Sequence, residues 1–239
     1  TAYVSDYNAI YVVDLENEEI IKEFNENINH GGVGEMIIYD NNLYYASELP
    51  YGKINQINLS QNIYVKAYNV GPYPNSFLFL EDNTLLMTAE RAANTYTSAY
   101  ATSEFLNPIA KPGLLKLDIE TNRITQIIES DFAYPKHLSR DGNLFCFIQF
   151  EEKFHPFDSN IRIWDKSTNT LSSQYKVNFF GGNNNGYSGM TSLKLKNSLL
   201  YATVKNGFYL LDIESSSFIR ASAKEDTIKL IFTEEEDLK

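Results

Sequence analysis

Apolar and polar residues alternate along most of the chain in short runs, and one phrase returns five times. An alternating run ends on Asp or Asn, a short polar turn follows, and a second alternating run begins. The copies are Ile10–Asp14 before Leu15-Glu16-Asn17, Ile54–Asn58 before Leu59-Ser60-Gln61, Leu114–Asp118 before Ile119-Glu120-Thr121, Ile161–Asp165 before Lys166-Ser167-Thr168, and Phe208–Asp212 before Ile213-Glu214-Ser215. Strict alternation is the signature of a half-buried strand, and helical periodicity is nowhere sustained. The Asp/Asn positions are spaced 44, 60, 47 and 47 residues apart, a period that suits a four-stranded propeller blade of roughly 40–50 residues. The Asp has a local role, because its carboxylate can accept hydrogen bonds from the backbone of the turn that follows.

Each copy carries further strands in a fixed order. First strands are expected at 35–39, 76–80, 137–139, 191–195 and 227–233, and second strands at 43–47, 85–89, 144–148 and 199–203. Fourth strands are expected at 19–24, 63–68, 123–128, 171–177 and 217–221. The chain opens on Ala2-Tyr3-Val4-Ser5, which matches the second strand Tyr44-Tyr45-Ala46-Ser47, and it finishes on a first strand. The pattern therefore predicts one all-β domain over 1–239, a single five-bladed β-propeller. Its repeats cover roughly 34–68, 75–128, 136–177 and 191–221, with 227–239 plus 1–24 closing the ring from both termini. Closure removes exposed sheet edges.

Composition changes this picture little. The 239 residues are 43% apolar and 21% charged, with 17 Tyr, 15 Phe, 1 Trp and 7 Pro, and Tyr and Phe fit a pleated, half-buried surface. The net charge of −11 argues against nucleic acid and anionic lipid as partners, which need clustered Lys and Arg. No apolar run reaches the roughly 18 residues of a membrane span. Cys146, the one cysteine, sits in Leu144-Phe145-Cys146-Phe147-Ile148 and reads as a small buried hydrophobe. No disulfide is possible within the chain. No leader is visible, but the sequence begins at Thr1.

Ala2–Asp6 followed by Ile10–Asp14 and Leu15–Phe24 resembles the YVTN-type repeat of YncE-like and surface-layer propellers, and the likeness extends weakly over all five copies. Five copies instead of seven is a departure. The resemblance implies binding and not catalysis, in a periplasmic, cell-surface or secreted setting; a cytoplasmic one stays open. Trp164-Asp165 matches a WD dipeptide, but the other copies read Val-Asp, Ile-Asn, Leu-Asp and Leu-Asp.

The irregular segments concentrate on one propeller face. Second-to-third connections swell at 90–113 and 149–160, and interblade connections fall at 25–34, 69–75, 129–136 and 177–190. Long loops on a scaffold are often functional. Their aromatics, Tyr51, Tyr73, Tyr96, Tyr100, Tyr134, Phe157 and Tyr187, are suited to stacking on a sugar, peptide or planar ligand, or to packing beneath the inserts. The ends of the second strands align Asp6, Glu48, Glu90 and Gln149 with Val204. Three carboxylates there would converge on the channel mouth, with Arg91 easing the repulsion, or each would cap its own loop. Lys136 or His137, and Asn75 or Ser76, are expected at the rim, and His155 on the same face. His30, His137 and His155 lack metal-ligand spacing. The Gly clusters at 31–34 and 181–189 lack the Lys-Ser/Thr of a phosphate loop, and no nucleophile elbow is present. Asn58-Leu59-Ser60 fits the glycosylation pattern within a turn.

Three readings follow. The first is a monomeric, non-catalytic binding propeller without cofactor or metal, whose partner is a small molecule, glycan, peptide or protein. The second is a glycosidase-like hydrolase working through Asp6, Glu48 and Glu90, which requires two carboxyls roughly 5–10 Å apart. The third is an intracellular assembly scaffold that uses the sides of the blades.

Overall fold

A computed structural model describes residues 1–6, 9–25, 33–47, 52–70, 73–90, 113–129, 136–150, 158–178, 190–204, 207–215 and 217–223. These residues form nineteen strands and no helix. The strands are β1 (Ala2–Ser5), β2 (Ile10–Asp14), β3 (Glu19–Phe24), β4 (Val33–Tyr39), β5 (Asn42–Ser47), β6 (Lys53–Asn58), β7 (Ile63–Asn69), β8 (Tyr73–Phe79), β9 (Thr84–Glu90), β10 (Gly113–Asp118), β11 (Arg123–Glu129), β12 (Lys136–Asp141), β13 (Leu144–Phe150), β14 (Asp158–Asp165), β15 (Thr170–Asn178), β16 (Met190–Lys196), β17 (Leu199–Val204), β18 (Gly207–Asp212) and β19 (Ser217–Ala223). They assemble as five antiparallel sheets in chain order: β1–β3, β4–β7, β8–β11, β12–β15 and β16–β19. The first of these, here sheet 1, has three strands and sheets 2 to 5 have four. The sequence-derived second, third and fourth strands coincide with observed ones. The expected first strand at 227–233 lies outside the described residues.

The turn after each third strand is built by its Asp or Asn. Asp14 Oδ1 accepts the Glu16 N–H at 2.9 Å, Asn58 Oδ1 that of Gln61 at 2.9 Å, and Asp118 Oδ1 those of Glu120 and Thr121 at 3.0 and 2.9 Å. Asp165 and Asp212 accept from Ser167 at 2.8 Å and from Glu214 at 2.9 Å. The last turn residue adopts the left-handed conformation at Glu18, Asn62, Asn122 and Asn169, and three of these four are Asn, which tolerates it best after Gly. Two-residue turns with both φ positive close the β4–β5 hairpin at Asp40-Asn41 and the β16–β17 hairpin at Asn197-Ser198. Their twist matches that of the strands they join.

Two compact units divide the chain at Lys136/His137. In the first, sheets 2 and 3 share a core of Tyr44, Ala46, Ile54, Tyr68, Phe77, Phe79, Leu85, Met87, Leu115 and Leu117. Tyr39 stacks on Phe79 with ring centroids 3.9 Å apart and planes 8° from parallel. The Tyr39 hydroxyl donates to Asn83 Oδ1 at 2.7 Å. Sheets 1 and 2 meet through Ile10, Leu43, Tyr45 and Ile57.

A repeated lysine clasp reinforces both seams. Lys22 Nζ lies over the Phe24 ring at 4.6 Å and donates to the Asn62 carbonyl at 3.1 Å, in the turn of the next sheet. Lys66, at the same repeat position, lies over Tyr68 at 4.5 Å and donates to the Ile119 carbonyl at 3.3 Å. In the second unit Ser139 Oγ accepts from Leu195 N–H at 3.0 Å and Asp141 Oδ2 from Ser198 N–H at 3.1 Å, which fastens sheet 4 to sheet 5. Cys146 is buried and free there, and burial pushes its thiol pKa far up. It is no ready nucleophile.

Every fourth strand carries one extra residue. Its pairing with the third strand shifts at Val12/Val13, Gln56/Ile57, Leu114/Leu115, Arg162/Ile163 and Leu210/Leu211. Ile21, Val65, Ile127, Ser173 and Ile219 are thereby skipped. Bulges of this kind bend an edge strand and raise its twist.

Candidate functional site

The antiparallel order gives each sheet two unlike ends. Turns after first and third strands close one end tightly, whereas connections after second and fourth strands leave from the other. The segment 91–112 departs after Glu90 and returns at Gly113, whose register partner on β9 is Ala89. Gly113 holds φ at +138°, and a Cβ there would lie 2.0 Å from the Ile128 carbonyl oxygen. Only glycine fits where this insert rejoins the sheet.

Of the sequence-predicted site residues, Glu48, Tyr51, Arg91, Tyr96, Tyr100, Tyr134, His155, Phe157 and Tyr187 lie outside the described residues, as does His30. Tyr73, Glu90, Lys136 and Gln149 are described as backbone. All four are strand residues, at Tyr73 and Lys136 opening β8 and β12, Glu90 ending β9, and Gln149 on β13. This corrects the expected loops: the interblade connections stop before Tyr73 and Lys136, and the second strand of sheet 4 runs on to Phe150. Glu90 pairs with Tyr73 and Gln149 with Asn160.

Cross-strand register also corrects the expected alignment of carboxylates. Asn42, Thr84, Leu144 and Leu199 stand opposite the turn residues Asn58, Asp118, Asp165 and Asp212. Counted from that level, Asp6 corresponds to Ser47, Ala89, Gln149 and Val204. Glu90 comes one residue later. Asp6 and Glu90 therefore do not share one level of the repeat, and Glu48 lies outside the described residues.

Asp6 itself is engaged locally. Its Oδ1 accepts the Ala9 N–H at 2.8 Å and its Oδ2 the Tyr11 hydroxyl at 3.0 Å, while its own N–H donates to the Ala9 carbonyl at 3.0 Å. The hydrogen bond to Asp6 raises the Tyr11 pKa, with lesser contributions from burial and neighbouring carboxylates. Asp6 thus caps its own loop. His137 is half-buried, with φ at +55°, uncommon for a residue with a side chain.

Sequence reasoning missed a carboxylate between sheets. Glu35 Oε2 accepts the Phe77 N–H at 3.2 Å across the seam of sheets 2 and 3, and burial raises its pKa against the opposing effect of bonds from Ser76 and Phe77. Nothing in the local pattern marks Glu35, since its partner arrives from another repeat. Among the described residues no group of three His, Cys, Asp or Glu is placed to hold a metal ion, and no helix is long and apolar enough to cross a membrane.

No protein-family model matches the chain, and no curated protein matches it. Solved structures do. The Dos1 propeller superposes with a TM-score of 0.63 at 12% identity, covering 95% of this chain and 56% of that one. The AfRom2 CNH domain gives 0.61 at 13%, covering 97% and 69%. The BT4673 extracellular domain from B. thetaiotaomicron gives 0.59 at 11%, covering 94% and 27%. The chain thus spans little more than half of the first of these and about a quarter of the last. At such identities the likeness concerns the fold alone, and with the all-β sheet order it defines a β-propeller-like protein.

Proposed function

We propose that this chain is a non-catalytic β-propeller that binds a small molecule, glycan, peptide or protein on the face bearing its long connections. The observation that carries the reading is the asymmetry of the sheets. One end is closed by short, Asp-capped turns, and the other receives 91–112 and 151–157, with Tyr96, Tyr100 and Phe157. Binding groups sit preferentially on such loops over a rigid scaffold. Asp6 is committed to its own turn, so no specific observation favours the hydrolase. The likeness to YVTN/YncE-like repeats and to an extracellular domain supports an envelope or secreted setting.

The test is a thermal-shift screen of the purified chain against monosaccharides, oligosaccharides, short peptides and divalent cations. At least one class is expected to raise the Tm, and Tyr96→Ser with Tyr100→Ser to abolish that shift while leaving the unliganded Tm in place. A blank screen, or a shift indifferent to both substitutions, counts against the reading.

The same proposal includes a closed ring of five blades. Val4, Tyr45 and Met87 occupy one register position, opposite Tyr11, Asn55 and Leu115. Tyr45 and Met87 are 1% and 0% exposed, but Val4 is 50% exposed. Leu15 is likewise exposed, while its counterparts Leu59 and Ile119 pack on the cores. Sheet 1 thus presents an apolar face of the kind that sheets 2 and 3 bury. A closed ring predicts that Leu15→Ala destabilises as much as Leu59→Ala in urea unfolding; an open one leaves Leu15→Ala neutral.

A further inference from the structure

Apart from that face, exposed apolar side chains stand at Ile38 on β4 and on the edge strands β3 and β7. Ile21 is 55% exposed, Ile63 50% and Val65 44%. Ile21 and Val65 are the extra residues of their two bulges. The Lys22–Asn62 bond joins the residue after Ile21 to the residue before Ile63, which defines a strip of β3 and the start of β7 across the seam of sheets 1 and 2. Among the described residues β3 pairs with β2 alone, and an unpaired edge is a template for another strand.

Acidic side chains outnumber basic ones around this strip. Glu16, Glu18, Glu19 and Glu23 all stand exposed along the hairpin that carries Ile21. The two lysines nearby, Lys22 and the exposed Lys66, each donate Nζ to a backbone carbonyl over an aromatic ring and keep their charge. A second copy of the chain would bring the same glutamates against these, and like charges facing each other oppose pairing. An occupant with apolar side chains and basic residues satisfies both features.

We propose that β3 and the adjoining residues of β7 form a docking strip for an extended partner segment in which apolar residues alternate with Lys or Arg, added as a strand to the β3 edge. This surface lies on the outer strands and does not depend on the loop-face reading.

The test uses the full chain and three fluorescently labelled synthetic peptides, Val-Lys-Val-Lys-Val-Lys-Val, its Lys→Glu counterpart and its Val→Ser counterpart, followed by fluorescence anisotropy at low and moderate salt. The Val/Lys peptide is expected to bind saturably and to weaken with salt. Ile21→Ser with Val65→Ser, and separately Glu19→Lys with Glu23→Lys, should each weaken it about tenfold or more, which by the usual relation is a change on the scale of a single lost interaction. Circular dichroism melts of both variants must match the parent, which separates lost docking from lost folding. Equal binding of the Val→Ser peptide would reduce the strip to charge attraction and overturn the proposal. Indifference to the four substitutions would overturn it too, as would concentration-dependent self-association in sedimentation that Ile21→Ser abolishes.

Discussion

At the scale of single residues, the tyrosines between the sheets separate two outcomes of one substitution. Tyr68 has its hydroxyl 2.9 Å from Gln56 Oε1 and 3.3 Å from the Ile119 carbonyl, spanning a seam. The Tyr45 hydroxyl is buried without a partner among the described residues. An unpaired buried hydroxyl costs roughly 1–3 kcal/mol, whereas a made hydrogen bond contributes about 1 kcal/mol net. Tyr68→Phe is therefore expected to lower stability in urea unfolding by about 1 kcal/mol, and Tyr45→Phe to leave it unchanged or raise it. Gly113→Ala should cost more than about 2 kcal/mol, because it combines a forbidden φ with a clash against backbone. A Gly113→Ala protein as stable as the parent would contradict the close approach to Ile128.

The turn carboxylates make a pH prediction of definite sign. Asp14, Asp118, Asp165 and Asp212 all have lowered pKa values, for the first and last chiefly because of side-chain hydrogen bonds from Asn17 and Ser215, for Asp118 the Thr121 backbone N–H, and for Asp165 Ser167. A carboxylate with a depressed folded pKa stabilises fully above its unfolded value near 3.9 and loses that contribution as pH falls through the folded value. Glu35 has the opposite sign: its raised pKa means stability declines as pH rises through it. Melting temperature should fall below about pH 4, and Asp→Asn at these four turns, the residue already present at Asn58, should flatten that fall.

At the scale of elements, the strands were legible because core-facing residues alternate with polar ones within each repeat. First strands began earlier than expected at Tyr73-Pro74 and Lys136-His137, and both have a physical cause. Proline lacks an N–H and reads as loop, yet β8 is an edge strand where that donor is dispensable. His137 interrupts the extended backbone with its positive φ. The bulges were invisible, since one extra residue inverts the alternation without leaving a turn signal. The carboxylate alignment differs for a related reason: the apolar pattern starts the second strands at Leu43 and Leu85, whereas Asn42 and Thr84 are level with Leu144 and Leu199. Packing predictions sit at this scale. Leu117, fully buried in the core of sheets 2 and 3, should lose roughly 2–5 kcal/mol on substitution by Ala, measured by urea unfolding.

For the molecule as a whole, the division between a fixed end and a variable end is the feature with the widest reach. The Asp-capped turns and lysine clasps use residues at one end and along the outer strands. A laboratory wishing to display foreign sequence could exchange residues 91–112 for a library, keeping as anchors Ala89 and Gly113, which face each other on neighbouring strands.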